Sequence, residues 1–200
     1  SVVALSTDKA VSPINLYGAS KLAAEKIFTA ANALAAGSCH FNVVRYGNVA
    51  GSRGSVLPLF KKFKEENKPF TITDEAMTRF WITLDQSVSL VLSAIDLAKG
   101  GLHSKTLIPK IPSILITDLA KAIDPDREIK IIGIRPGEKL HECLLTADEA
   151  RTASVEKKFF IIHENGYSFN PQEIHLLPGF NYSSDTNTDW LSVEQLRSML

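Results

Sequence analysis

The order strand, polar cluster, helix, strand within the first 46 residues constrains the fold more than any other feature of the chain. Val2-Val-Ala-Leu5 is a short apolar, β-branched run that reads as a buried strand. It stops at Ser6, Thr7, Asp8 and Lys9, a polar group at the strand's carboxyl end. Pro13 and Asn15 mark a loop, and a helix is expected from Leu16 to about Ala36, closed by Gly37. Ala23, Ile27, Ala30, Ala31 and Leu34 form its apolar stripe, small enough to pack closely on a sheet. Phe41–Tyr46 reads as the next strand. Strand, helix and strand in this order imply a parallel crossover, half of a Rossmann-like unit. In open parallel sheets ligands sit outside the carboxyl ends of the strands, so Thr7, Asp8, Lys9, Tyr17 and Lys21 are expected to converge there.

Tyr17 and Lys21 lie one helical turn apart and project from the same helix face. An ammonium that close favours the phenolate, the form that removes a proton from a sugar or alcohol hydroxyl. A Tyr-x-x-x-Lys pentad alone is common surface decoration; the polar strand end just upstream is what makes this one chemical.

Composition excludes several classes. Lys plus Arg and Asp plus Glu number 22 each, so nothing marks a nucleic-acid or polyanion surface. Lys61, Lys62 and Lys64 run into Glu65 and Glu66 and read as a solvated helix face. Two cysteines, Cys39 and Cys143, make no disulfide framework, which favours a reducing cytoplasm. No apolar run reaches membrane-spanning length. The amino terminus has no charged n-region of a signal peptide and opens on a strand, so a dinucleotide fingerprint is expected upstream. Gly47, Gly51 and Gly54 do not have that fingerprint's spacing. By this reading the 200 residues alone bind a dinucleotide weakly and are inactive by themselves.

Further along, Val56 to Phe63 reads as an amphipathic helix with Pro58 in its first turn. Thr71–Thr73, Phe80–Thr83, Thr106–Ile108 and Ile129–Ile134 read as strands. Asp85 is expected to cap a helix carrying Val88, Val91, Leu92 and Ile95 and stopped by Gly100-Gly101, and Thr117 to cap one carrying Leu119, Ala120 and Ile123. Ser192 and Gln195 form a capping box before a terminal helix. His141, Glu142 and Cys143 read as a surface helix start rather than a metal site. His40, His103, His163 and His175 show no catalytic partner, and Phe80 and Trp81 read as core.

Ser6-Thr-Asp-Lys-Ala10, Asn15-Leu-Tyr-Gly-Ala-Ser-Lys21, Arg45-Tyr-Gly-Asn-Val49, Gly51-Ser-Arg-Gly-Ser55, Met77-Thr-Arg-Phe-Trp-Ile-Thr83 and Ile134-Arg-Pro-Gly-Glu-Lys139 occur in that order. Together they resemble the inverting UDP-N-acetylglucosamine 4,6-dehydratases, extended short-chain dehydrogenase/reductases that open pseudaminic acid biosynthesis for flagellin and other bacterial surface glycans. The resemblance reaches the Asn187-Thr-Asp-Trp190 tail. It implies an α/β, Rossmann-like NAD(P)-binding fold, its C-terminal part only, with a smaller mixed α/β substrate-binding lobe. Residues 1–55 would belong to the NADP-binding domain and 56–200 mainly to the substrate lobe, with about 80–110 returning to the first.

The implied activity is NADP-dependent, redox-neutral dehydration of UDP-N-acetylglucosamine with inversion at C5, by a cytoplasmic homo-oligomer without nucleic-acid or membrane partners. Tyr17 and Lys21 would serve oxidation at C4, Lys9 would take the C5 proton, Asp8 would protonate the departing C6 hydroxyl and Thr7 would orient the sugar. Leu5, Ser6, Tyr17, Lys21, Val49, Ala50, Gly51, Ser52 and Arg53 match cofactor-contacting stretches. Asn48, Val56, Thr73, Arg135 and Glu138 match positions that contact the nucleotide sugar. Arg79 could do similar work or form a structural ion pair, and Asp8 and Lys9 could simply pair with each other. A retaining dehydratase, an epimerase and a non-catalytic Rossmann-type binding protein are the alternatives. Long, membrane-anchored retaining relatives typically have Met where this chain has Tyr17, which favours the inverting group.

Overall fold

The computed structural model describes residues 1–101, 104–163 and 174–200. In chain order the elements are β1 (Val2–Thr7), a 3-10 turn (Asp8–Ala10), α1 (Leu16–Ala35), β2 (Phe41–Tyr46), β3 (Asn48–Val49), α2 (Val56–Glu65), β4 (Phe70–Ile72), β5 (Thr78–Ile82) and α3 (Leu84–Lys99). There follow β6 (Lys105–Pro109), β7 (Ser113–Leu115), α4 (Ile116–Ile123), β8 (Ile129–Ile131), β9 (Cys143–Leu145), α5 (Ala147–Ala150), β10 (Ala153–Val155), β11 (Phe159–His163), β12 (Ile174–His175), β13 (Tyr182–Ser183) and α6 (Val193–Met199). None of the described helices is long and apolar enough to cross a membrane.

Two compact units divide the chain. The first holds Ser1–Tyr46, Asp85–Lys110 and Cys143–Tyr182; the second holds Gly47–Leu84, Ile111–Glu142 and Ser183–Leu200. Relative to the expected domains, the division falls at Tyr46 rather than at residue 55, and residues 143–182 join the first unit.

The first unit is built on a six-stranded sheet, order β1-β2-β6-β11-β10-β12. β1, β2 and β6 are parallel, whereas β11, β10 and β12 continue antiparallel. Helices cover both faces. Arg45 reaches α1, and Asn42 donates to the Ala94 carbonyl of α3 at 3.2 Å. Because side chains alternate along a strand, residues 42 and 45 point to opposite faces, which puts α1 and α3 on opposite sides of the sheet. This is a Rossmann-like α/β layer arrangement, as the strand and helix order predicts.

Several sequence expectations differ from the structure here. β1 was expected to be buried; among the described residues it pairs with β2 alone, and Val2 and Leu5 are 37% and 51% exposed. The apolar stripe of α1 faces outward, with Ile27 67% and Leu34 89% exposed. Its sheet side instead carries Gly18, Glu25 and Thr29, which are buried, and Asn32. Asn32 pairs with both the N–H and the C=O of Phe41, at 2.9 and 2.8 Å, so polar contacts set the helix phase. The same slip occurs in α3, where Ser87, Leu90, Ala94 and Ala98 are buried while Val88 and Leu92 lie exposed. α3 also begins at Leu84, so Asp85 is a first-turn residue rather than the cap.

In the second unit β3 pairs parallel with β5, β5 antiparallel with β7, and β4 parallel with β8. Its core gathers Leu57, Phe60, Phe70, Ile72, Met77, Trp81, Ile114 and Leu119, with the Phe60 and Phe70 rings stacked 4.7 Å apart. Phe80 and Trp81 are core, as expected. α4 is capped at Leu115, which puts Thr117 inside the helix, and β8 stops at Ile131. Residues 141–143 do not start a helix. Glu142 is buried, His141 Nδ1 lies 2.8 Å from Thr78 Oγ1, and Cys143 opens β9. Ser192 and Gln195 do form the capping box of α6.

Candidate active site

β1 ends where the chemistry-bearing residues begin. The Thr7 hydroxyl caps the 3-10 turn, accepting from the Lys9 N–H at 3.4 Å, and donates to Asp8 Oδ1 at 2.8 Å. Asp8 has no exposed surface, and Lys9 Nζ reaches the same Oδ1 at 3.0 Å. The second oxygen, Oδ2, is buried and meets no hydrogen-bond partner among the described residues. Asp8 and Lys9 therefore do pair, one to the other, and the pair leaves one carboxyl oxygen unspent.

Helix α1 brings the second half. Asn15 caps it by accepting from the Gly18 N–H at 2.8 Å. Gly18 is indispensable to the docking, because a Cβ there would stand 2.2 Å from the Lys9 carbonyl oxygen. Tyr17 in the first turn is 53% exposed. One turn on, Lys21 Nζ donates to the Leu5 carbonyl at 3.1 Å. Thr7, Asp8, Lys9, Tyr17 and Lys21 thus share the carboxyl end of β1 and the start of α1. Tyr46, the register partner of Thr7 on β2, has its phenol pushed up by burial and by negative charge at Tyr17.

Of the expected cofactor residues, Leu5 contributes an exposed edge and its carbonyl, whereas the Ser6 hydroxyl turns inward and donates to Glu25 Oε1. The structure adds a buried group with no assigned role in the sequence. Arg45 is fully buried in β2 and bonds Glu25 of α1, Glu149 of α5 and the Leu144 carbonyl. Burial alone would lower its pKa, but the two carboxylates raise it overall. A lone Arg inside an apolar strand and a Glu off the apolar stripe of a helix were the available signals.

Val49, Ala50, Gly51, Ser52, Arg53 and the substrate candidates belong to the second unit. Gly51 has φ +73°, with open space beside it, and Ser52 and Arg53 are exposed in the same turn. Asn48 Oδ1 is buried without a partner among the described residues, and Val56 packs at the core's margin. Thr73 Oγ1 donates to Glu138 Oε1 at 3.3 Å, while Glu138 Oε2 is buried and unpartnered among the described residues. Arg135 is exposed at the start of the turn in which the Glu138 N–H bonds the Arg135 carbonyl at 3.1 Å. Arg79 is 8% exposed and donates to the carbonyls of Thr78, Lys139 and Leu140, which makes it the structural anchor of that loop.

Known proteins resemble this chain in sequence and fold. The chain is 47% identical, over 99% of its length and 62% of the relative's, to the UDP-N-acetylglucosamine 4,6-dehydratase (inverting) of Campylobacter jejuni. It is 38% identical, over all of its length and 60% of the relative's, to the UDP-glucose 4-epimerase of Rickettsia massiliae. The X-ray structure of Pen from Bacillus thuringiensis superposes with a TM-score of 0.85 at 38% identity, covering 98% of this chain and 61% of that one. The chain therefore spans about three fifths of the length of the relatives it matches. The family model described as polysaccharide biosynthesis protein matches residues 1–164, from β1 through β11, and the chain belongs to that family.

Proposed function

We propose that the protein carrying this chain is a nucleotide-sugar 4,6-dehydratase of the inverting kind, converting UDP-N-acetylglucosamine to the 4-keto-6-deoxy sugar with inversion at C5. The observation that carries the reading is the fully buried Asp8 carboxyl paired with the partly exposed Lys9 ammonium, 3.0 Å apart, at the strand end onto which Gly18 docks the helix bearing Tyr17 and Lys21. Oxidation at C4 needs only the Tyr and Lys. Elimination across C5 and C6 needs an additional base and acid.

NADP, when bound, supplies the acceptor that takes hydride from C4 and later returns it to C6. The residues present fit such a group: Lys21 spends one bond on Leu5, and an ammonium has three donors. Tyr17 takes the C4 hydroxyl proton. The new ketone acidifies the C5 hydrogen, which the neutral amine of Lys9 removes. Asp8 gives a proton to the C6 hydroxyl, which leaves as water. One proton passing from Lys9 Nζ to the Asp8 carboxyl puts both residues in the forms these steps require. Reprotonation of C5 by a solvent-derived proton, from the face opposite Lys9, inverts the centre. Thr7 holds the Asp8 carboxyl in position. Thr73, Arg135 and Glu138, with Asn48 and Val56, are assigned to the nucleotide sugar, Arg135 pairing with its diphosphate.

The same reading makes the protein a cytoplasmic homo-oligomer serving pseudaminic acid synthesis. The epimerase relatives support a second reading, in which C4 alone reacts. Product NMR after turnover in deuterated water decides between them. The dehydratase gives a 6-deoxy-4-keto sugar with deuterium at C5 in the inverted configuration. An epimer that keeps its 6-hydroxyl, or a retained C5 centre, overturns the proposal.

A further inference from the structure

Helix α1 carries a carboxylate that the proposed chemistry does not use. Glu25 lies one turn beyond Lys21 and two beyond Tyr17 and is 1% exposed. It accepts from Ser6 Oγ of β1, and from Arg45 Nε at 3.0 Å and Nη2 at 2.6 Å on β2. Arg45 is held in turn by the Leu144 carbonyl at 2.9 Å and by Glu149 at 2.9 and 3.1 Å. Burying a guanidinium with two carboxylates adds little net stability over an apolar cluster of the same volume. What the bonds do is fix a register. Leu5 and Ser6, consecutive on β1, hold Lys21 and Glu25, which stand on consecutive turns of α1. With Gly18 seated on the Lys9 carbonyl, three successive turns of the helix are pinned to the strand end that carries Thr7, Asp8 and Lys9.

We infer that Glu25 is a positioning residue: clamped by Arg45 and Ser6, it sets the axial register of α1 on β1 and so the placement of Tyr17 and Lys21 relative to Asp8 and Lys9. The inference deepens the dehydratase reading and rests on it. Glu149 supplies an internal control. It grips the same guanidinium from α5, and its other bonds go to Thr146 of its own turn. Loss of Glu149 weakens the cluster without releasing α1.

Glu25→Gln and Glu149→Gln in the full protein test this, each measured for kcat and KM with UDP-N-acetylglucosamine and for amide hydrogen exchange along residues 17–25. Misplacing reacting groups by about an ångström costs roughly a hundredfold in rate. Glu25→Gln is expected to lower kcat by about tenfold to a hundredfold with KM nearly unchanged, and to speed exchange in α1. Glu149→Gln is expected to do neither. Equal losses of kcat in the two variants would mean a merely structural cluster, and an intact kcat in Glu25→Gln would also overturn the inference. If the parent protein does not dehydrate the sugar, the functional reading fails instead. The exchange data then decide the register: faster exchange in Glu25→Gln alone supports it, and no difference between the variants sinks it.

Discussion

Gly18 and Lys9 meet at a distance no other residue type allows: a Cβ on Gly18 would lie 2.2 Å from the Lys9 carbonyl oxygen. The contact is backbone against backbone, so no flexible side chain can yield. Gly18→Ala therefore has to push α1 off the strand end, and Tyr17 and Lys21 with it. Overpacking of this kind costs about 1–3 kcal/mol. The expected result is a lowered melting temperature and a loss of turnover larger than the loss of folded protein explains. A variant with wild-type kcat would show that the helix register is not critical.

In the proposed elimination Lys9 and Asp8 have separate roles, and each can be read separately. Lys9→Met removes the proposed C5 base. Substrate should then be oxidised at C4 without deuterium entering C5 from solvent, and the reduced cofactor should accumulate as a near-ultraviolet band. Asp8→Asn keeps the shape but cannot deliver the proton. Deuterium should enter C5 of recovered substrate while water loss stalls. Each substitution is expected to slow product formation by about 10²–10⁴-fold, the usual range for a general acid or base. C5 exchange in Lys9→Met at the parent rate would remove Lys9 from the role.

The placement of these residues was legible in the sequence because it depends on short-range spacing: Tyr17 to Lys21 within one turn, and Asp8-Lys9 at the end of a strand run. Strand pairing of β1 with β2, the start of α1 at Leu16 and the α6 capping box were legible for the same reason. The inward faces of α1 and α3 were not. Periodicity assigns the apolar stripe to the core, but Glu25, Thr29 and Asn32 on α1 are drawn inward by partners distant in sequence, Arg45 and Phe41 among them. On α3, Ser87, Ala94 and Ala98 are small enough for close approach to the sheet, and Val88 and Leu92 are left outside. Glu149 lies 104 positions from Arg45, which no local pattern can reveal.

Glu149 also gives the fold an acid-sensitive contact. Burial alone would raise its carboxyl, but the charge and hydrogen bonds of Arg45, with those from Thr146, hold it below its ordinary 4.5. A carboxyl depressed in the folded state adds stability above its unfolded value, and that contribution is lost as pH falls through the folded value. Glu149→Gln should accordingly be less stable than the parent at neutral pH, with the gap closing in acid. Denaturant titrations across pH measure it directly. A gap that persists unchanged in acid would mean that the ion pair with Arg45 contributes nothing.

Tyr46 senses Tyr17 across the strand ends. Tyr46 pairs in register with Thr7, and its phenol is raised above the ordinary 10.0 first by burial and then by negative charge at Tyr17. Removing the Tyr17 hydroxyl in Tyr17→Phe takes away the second cause and leaves the first. The Tyr46 midpoint should therefore fall, yet stay above 10.0. The chain has four tyrosines, so an alkaline ultraviolet titration needs Tyr46→Phe as the assignment control. The coupling matters to the proposed chemistry because it puts Tyr46 within electrostatic reach of the Tyr17 side chain. A Tyr46 midpoint indifferent to Tyr17→Phe would show that the two phenols do not share the strand-end environment, and the pocket assigned to C4 oxidation would have to be redrawn.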